Sequence, residues 1–228
     1  MRNKLIGLIS LFIATFYISC KNNDAEKKAA EAFTKNYNDS IASLGELAKD
    51  SINEGIMKYD VKSGIINYET DFGQMGKSTR KLVFENFGAT QLRSTPFSII
   101  LDRGGFTYYI NPTDSVGTKL YTENGDQFNP DLIDFKGLGM ELKNRYNYKE
   151  LGTEIVLNRT CQIVSLYNKE MNIKAKYWLY KYIPLKMEIT IINHTSYILA
   201  KQFDENVEVD KQNFEIPKKI NLVKVSNK

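Results

Sequence analysis

The chain has 228 residues and a formal net charge of +4, with 42% hydrophobic and 25% charged residues. These proportions are ordinary for a globular protein, and so small a charge, with lysine and glutamate interspersed, argues against a nucleic-acid partner. The 12 Phe and 14 Tyr residues favour β-sheet, because aromatic side chains suit the pleated surface of a strand.

A hydrophobic segment at the N-terminus predicts export. Arg2 and Lys4 precede a nearly uninterrupted apolar run over residues 5–18. This run is too short to cross a bilayer, which takes about 20 residues, but it is typical of a secretory signal. Its end, Tyr17-Ile18-Ser19-Cys20, resembles a bacterial lipoprotein signal, in which a small residue precedes a cysteine that is lipidated. Tyr17 stands where that family usually has leucine.

The resemblance implies that residues 1–19 are removed, that Cys20 carries two or three acyl chains and that residues 20–28 form a polar tether. It also implies a Gram-negative cell envelope, facing the periplasm or the cell surface. Because Lys21 is not the aspartate associated with inner-membrane retention, we favour the outer membrane. The alternative is an ordinary secretory signal with an incidental cysteine. We expect a monomer without a disulfide, since a lipidated Cys20 leaves Cys161 without an intramolecular partner.

The segment 24–48 predicts an amphipathic helix. Its apolar residues recur at spacings of four, four and three, which places them on one helical face: Phe33, Tyr37, Ile41 and Leu44. A lone helix of this kind must bury that face against another element. We therefore expect it to lie as a lid on the concave face of the sheet that follows.

From Ser63 the apolar period changes to about two, which predicts antiparallel strands separated by short turns. Gly73 and Gly76 mark a turn, and the stretch 102–105 (DRGG) predicts a hairpin, because glycine supplies positive φ angles. The strands expected in this half are 63–69, 78–87, 91–93, 97–101 and 106–110.

A second, short helix is predicted after Asn129-Pro130-Asp131, since Asn is a good N-cap and Pro suits the first helical position. Gly137 and Gly139 make this helix irregular. Its buried side would be formed by Leu132, Ile133, Phe135, Leu138 and Leu142.

The remaining chain returns to strands, which we expect at 153–157, 160–167, 171–180, 185–191, 197–202 and 218–225. Alternation between apolar and polar residues is cleanest in 171–179 and 185–191. One apolar and one solvated face predicts a mainly β (α+β) fold with a single curved antiparallel sheet, in one domain over residues 29–228. Pro184 belongs at a corner or strand start. Trp178 lies opposite the apolar set of its strand, under a helix or at a rim.

The order of these elements resembles the LolA/LolB-like fold of outer-membrane lipoprotein carriers, a half-open β-barrel with a helical lid over an apolar cavity. Three short stretches are similar to those of LolA-like envelope proteins: Gly152–Leu157 with Cys161, Tyr177–Tyr180 followed by Ile183–Lys186, and Phe214–Pro217.

The resemblance implies an apolar ligand, a lipid or an acyl chain, held between sheet and helices. The residues expected to contact it are Phe33, Tyr37, Ile41 and Leu44 on the helix and Ile173, Tyr177, Met187 and Ile189 on the sheet. The alternative is a structural or interaction lipoprotein with a solid core and no ligand.

The residue pattern does not predict an enzyme, a metal site or a cofactor. His194 is the sole histidine, and its context predicts a turn. The sequence contains no Gly-x-Ser-x-Gly, His-Glu-x-x-His or Cys-x-x-Cys motif. Cys161 is expected to be a buried, unreactive residue of the core.

Overall fold

The computed structural model describes residues 56–121 and 128–224, all within one compact unit. The predicted signal, the start of the domain at residue 29 and the first helix lie outside these ranges. The same holds for Cys20, Phe33, Tyr37, Ile41 and Leu44, whose roles therefore stay predictions.

The described residues form one open, curved sheet of twelve strands, which confirms the mainly β prediction. Its spatial order is β12-β6-β5-β4-β3-β2-β1-β11-β10-β9-β8-β7. Neighbouring strands are antiparallel except β12 and β6, which are parallel. The strands are β1 Gly64–Asp71, β2 Lys77–Glu85, β3 Thr90–Ser94, β4 Ile99–Arg103, β5 Phe106–Asn111, β6 Val116–Tyr121, β7 Lys149–Val156, β8 Arg159–Asn168, β9 Ile173–Tyr180, β10 Ile183–Ile191, β11 His194–Glu205 and β12 Asn221–Lys224.

Two predicted turns and the predicted position of Pro184 agree with the structure. Gly104 and Gly105, with φ of 59° and 76°, join β4 to β5 as the hairpin prediction requires. The Gly73–Met75 turn is a short 3-10 helix between β1 and β2. Pro184 is the second residue of β10, where the register with β9 shifts, in agreement with its predicted place at a strand start.

Paired residues in a sheet place their side chains on the same face. One row runs from Ile198 through Met187 and Tyr177 to Val164. We call this side the inner face, because residues 128–146 lie across it. The opposite side is the outer face.

The predicted second helix is wrong in position and length. The helix, α1, is Met140–Arg145, and the preceding residues form turns. The Asn129 side chain accepts a hydrogen bond from the Asp131 amide, and Asp134 accepts from the amides of Lys136 and Gly137. These Asx turns satisfy the backbone without a helix. Leu132, Ile133, Phe135 and Leu138 therefore lie in a non-helical segment.

The C-terminal segment packs on the outer face of the first half of the sheet. After β11 the chain crosses β2–β5, and β12 adds to the free edge of β6. A separate core forms there, anchored by a hydrogen bond of 3.0 Å from Arg103 Nη1 to the Phe214 carbonyl. Its buried members are Val83, Leu101, Tyr108, Ile110, Val209 and Phe214.

Candidate functional site on the inner face

The structure brings together the four sheet residues that the sequence assigns to ligand contact. Tyr177 pairs with Met187, and Ile173 with Ile191, two positions from Ile189. Their exposed fractions are 4% for Ile173, 0% for Tyr177, and 5% each for Met187 and Ile189. They belong to the main hydrophobic core, so a ligand would reach them only by displacing other core groups.

A covering segment, residues 128–139, lies over these residues. The Phe135 ring meets the Tyr177 ring edge to face, with centroids 4.7 Å apart. The Tyr177 hydroxyl donates a hydrogen bond of 3.0 Å to the Pro130 carbonyl. Phe128 packs on Tyr146, just after α1, at 4.6 Å. The covering segment thus contributes apolar groups and a hydrogen-bond acceptor to the inner face.

Two ion pairs hold the covering segment at its polar side. The two terminal guanidinium nitrogens of Arg80, Nη1 and Nη2, donate to the Asp131 carboxylate at 2.8 and 3.3 Å. Lys136 Nζ lies 2.7 Å from Asp60 Oδ1 in a more exposed pair. Burial raises the pKa of Asp131, but the charge of Arg80 outweighs it and holds that pKa below its ordinary value. Asp131 is therefore ionised at neutral pH.

A buried polar cluster occupies the other half of the inner face. Asp102 Oδ2 lies 2.7 Å from Lys58 Nζ and accepts from Gln91 Nε2 at 2.6 Å, while Oδ1 accepts from Thr107 Oγ1 at 2.7 Å. Arg93 Nη1 lies 3.5 Å from the same carboxylate. The pairing of Gln91 with Asp102, and of Asp102 with Thr107, places these residues in one row across β3, β4 and β5.

Lys58 and Tyr59 complete this cluster from the segment before β1. The amides of both residues donate to the Phe87 carbonyl, at 2.8 and 2.9 Å, which fixes that segment against the sheet. The Tyr59 hydroxyl then donates to Gln91 Oε1 at 2.7 Å. All buried side-chain polar atoms of the described residues have a hydrogen-bond partner.

Burial and charge act in opposite directions on the pKa values of this cluster. Burial raises the pKa of Asp102, but the positive charges of Lys58 and Arg93 outweigh it and hold that pKa well below its usual range. For Lys58, burial lowers the pKa more than Asp102 raises it. The cluster is thus a buried group in which Asp102 is held in its charged form by the positive charges around it.

Sequence reasoning does not find this cluster. It places Asp102 in the turn DRGG, although the residue lies in β4 and faces inward. The sequence signal that could have indicated the cluster is a set of polar residues at alternate positions of nearby strands. These residues are Gln91 and Arg93 on β3 and Thr107 on β5.

The described residues contain no group of three or more His, Cys, Asp or Glu side chains that could hold a metal ion. His194 is exposed and is the first residue of β11. Cys161 is fully buried, as predicted, and burial raises the pKa of its thiol. No helix within residues 56–121 and 128–224 has the length and apolar character needed to span a bilayer.

Trp178 lies on the outer face, where it pairs with Ile163 and is contacted by three charged side chains. Its indole N–H donates to Glu154 Oε2 at 2.7 Å. The ammonium groups of Lys186 and Lys176 lie 3.9 and 4.5 Å from the indole ring centre. Lysine side chains can cover apolar surface in this way while their charges stay in water.

An open curved sheet whose inner face is crossed by an irregular segment defines a class of single-sheet, half-barrel architectures. Neither a family model nor a curated protein matches the sequence. Among solved structures, an uncharacterised conserved protein from Thermus thermophilus is similar at a TM-score of 0.49 and 5% identity, covering 73% of this chain and 92% of that chain.

The Pseudomonas aeruginosa MucA/MucB complex structure is similar at a TM-score of 0.46 and 11% identity, covering 72% of this chain and 58% of that one, less than two thirds of its length. A LolA superfamily protein from Nitrosomonas europaea is similar at 0.38 and 12% identity, covering 70% and 93%. A LolA superfamily structure is thus among those similar to this chain. Because every one of these TM-scores is below 0.5, we infer no ligand or activity from them.

Proposed function

We propose that this chain is a lipid-anchored protein of the Gram-negative cell envelope that holds an apolar ligand, a lipid or acyl chain, between the inner face and the covering segment. The anchor is Cys20, and the outer membrane is the favoured location. The observation that carries the proposal is the way in which the covering segment is attached. The segment turns apolar side chains toward the sheet, but it is held there by side-chain contacts and does not pair with a strand.

Such an attachment allows the covering segment to separate while the sheet stays intact. The Phe135–Tyr177 contact and the hydrogen bond from Tyr177 to Pro130 would break first, because they are the ones over the apolar row. An acyl chain entering there would replace the Phe135 ring against Tyr177 and would lie along Ile173, Met187 and Ile189. The twelve-stranded hydrogen-bond network would be unchanged.

A second candidate is a structural or interaction lipoprotein with a solid core. The near-complete burial of Ile173, Tyr177, Met187 and Ile189 supports it, because well-packed side chains need no ligand. In that case Phe135 is an ordinary core residue, and Phe135→Ala costs about 3–5 kcal/mol of stability.

One experiment separates the two candidates. The affinity for a fluorescent fatty acid and the melting temperature are measured for the parent, Phe135→Ala, Phe33→Ala and Ile41→Ala, and lipids extracted from the purified parent are identified by mass spectrometry. A carrier predicts co-purified lipid, weaker probe retention in the three variants and small losses of stability. The control is Leu101→Ala, in the outer core, which should lower stability and leave probe affinity unchanged. Absence of lipid and of probe binding in the parent would leave the solid-core candidate.

The anchor is tested independently. Cys20→Ala removes the thiol that carries the acyl chains, and stable anchoring needs at least two chains. We expect the variant in the soluble fraction and the parent in the membrane fraction. Retention of the variant on membranes at high salt would refute the lipoprotein assignment.

A further inference from the structure

The outer face of the second half of the sheet carries lysines without an anionic partner. An open depression of about 350 Å3 lies there, lined in part by Lys149, Lys174 and Lys176. Within the described part of the chain, no carboxylate lies within 4.0 Å of these three ammonium groups. Lys174 and Lys176 lie over the rings of Tyr167 and Trp178, at 5.8 and 4.5 Å. Those contacts orient the ammonium groups, and Glu154, which accepts a hydrogen bond from Trp178, also attracts Lys176.

Strand register brings the three lysines to one place. Lys149 on β7 pairs with Ser165 on β8, which pairs with Lys176 on β9. Because adjacent strands lie about 4.8 Å apart, the Cα atoms of Lys149 and Lys176 are about 10 Å apart. Lys174 lies two positions along β9, on the same face.

The remaining polar lining suits a phosphate. Among the described residues, Glu188, which pairs with Lys176, is the one acidic side chain that lines the depression, so three lysines and one glutamate leave a local charge of +2. The Ser165 hydroxyl also lines the depression, whereas the Tyr167 hydroxyl donates to Asn172 Oδ1 at 3.5 Å and the Thr190 hydroxyl shares a hydrogen bond of 2.9 Å with Thr195. Lysine ammonium groups bind phosphate oxygens as point charges, and hydroxyls complete such sites.

A turn that carries an exposed isoleucine lies beyond this depression. Ile192, in the two-residue turn between β10 and β11, is 69% exposed and has a φ of 59°, a conformation that β-branched residues rarely adopt. It follows Thr190, the partner of Lys174, by two positions, about 7 Å along the strand. Tyr197, which pairs with Glu188 on the outer face, is 51% exposed. Exposed isoleucine beside lysine and tyrosine is the composition of a membrane-interface contact.

We propose that the lysine depression and the Ile192 turn together form a docking surface for a membrane that contains anionic phospholipid. The lysines bind the phosphate groups of the lipid head groups, and Ile192 inserts among the acyl chains. The positive charge of the depression complements an anionic bilayer. A site for free phosphate would not require an exposed isoleucine beside it, whereas a membrane-docking surface would use one. This inference rests on the proposed envelope location but needs neither an acyl-chain ligand nor the lipid on Cys20.

Spin-label depth measurements test the surface. A nitroxide is attached to Ile192→Cys in the full lipidated chain bound to phosphatidylcholine/phosphatidylglycerol vesicles. The matched control is Tyr182→Cys, at the turn that begins β10, also exposed and at positive φ. Cys161 is replaced by Ala in both, so that one thiol reacts. We expect collisions with a water-soluble relaxation agent to fall at least five-fold at position 192 and to stay unchanged at position 182.

Charge variants then identify the lysines as the cause. The triple variant Lys149→Gln, Lys174→Gln, Lys176→Gln should remove most of the protection at position 192, as should vesicles of phosphatidylcholine alone. Equal accessibility at positions 192 and 182 in the parent, or protection that persists in the triple variant, overturns the proposal. So does tight binding of inorganic phosphate to the lysines without protection at position 192, since the depression would then be a free-phosphate site.

The same labels in the Cys20→Ala chain, with vesicles in excess, separate docking from anchoring. Protection at position 192 in that chain supports docking even if Cys20 proves to carry no lipid. Retention of this chain on membranes at high salt, with protection at position 192, would refute the lipoprotein assignment and leave the docking surface standing.

Discussion

Replacing Asp102 by asparagine tests whether the buried polar cluster is held together by charge. The carboxylate is 6% exposed and its partner Lys58 is 9% exposed. Asparagine keeps the size of the side chain but leaves Lys58 and Arg93 without an anion. Removing one partner of a buried ion pair costs about 3–5 kcal/mol, because the other charge stays buried and unpaired.

That cost is a large part of the 5–15 kcal/mol typical of a folded domain. With an m-value of about 2 kcal/mol/M in urea, a loss of about 4 kcal/mol lowers the unfolding midpoint by about 2 M. The assay is urea unfolding of the parent and Asp102→Asn at pH 7, followed by fluorescence of Trp178, the single tryptophan of the chain. The matched control is Asp114→Asn at an exposed turn, which we expect to change stability by less than about 0.5 kcal/mol.

A second substitution separates charge from packing. Lys58→Met in the Asp102→Asn background removes the unpaired ammonium, so the double variant should recover part of the lost stability. The recovery is incomplete because Arg93 and Gln91 also donate to Asp102. A loss below about 1 kcal/mol for Asp102→Asn, or no recovery in the double variant, would show that the charge of Lys58 is compensated elsewhere and would refute the reasoning.

The other predictions concern acid stability, a thiol and a glycine. Because the pKa of Asp102 is depressed in the folded state, the stabilisation by its carboxylate is complete above the unfolded pKa of about 3.9 and is lost progressively as the pH falls below that value. Between pH 5 and pH 2, the melting temperature should therefore fall more steeply for the parent than for Asp102→Asn. Cys161 should react with a thiol reagent only after denaturant is added, and rapid reaction of the native protein would contradict its burial. Gly64→Ala would place a Cβ 2.8 Å from the Phe203 ring and 2.9 Å from the Phe84 ring, so we expect the free energy of unfolding to fall by about 1–3 kcal/mol in the same urea assay. An unchanged midpoint would show that both rings can shift freely.

The strands of the second half of the sheet could be predicted because their two faces differ in chemistry. From Ile173 to Tyr177 in β9 and from Leu185 to Ile189 in β10, buried residues alternate with Lys or Glu, which gives a period of two that a helix cannot satisfy. The same reasoning failed for β6, Val116–Tyr121, where Gly117 and Lys119 interrupt the pattern, and for the start of β7, an exposed edge strand.

The candidate site was predictable only in its apolar half. Ile173, Tyr177, Met187 and Ile189 share a face by register, so their neighbourhood follows from the strands. The buried cluster around Asp102 does not, because its members come from three strands and the preceding segment, and no single stretch of sequence contains the pattern. The covering segment was placed correctly over the sheet but predicted as helix, since its Asn and Asp side chains look like helix caps until their turn hydrogen bonds are seen.

The pairing of β1 with β11 has a consequence for when this chain can fold. The seam joins early and late parts of the sequence: Gly64 lies opposite Glu205, and Ser63 Oγ bonds to the Val207 carbonyl across 144 positions. Contacts so distant in sequence require a large loop to close before they form, which makes folding slow. A chain that is threaded through a membrane from its N-terminus would therefore remain without its central seam until nearly all of it has emerged. Slow closure of this seam would therefore suit the export that we propose for this chain.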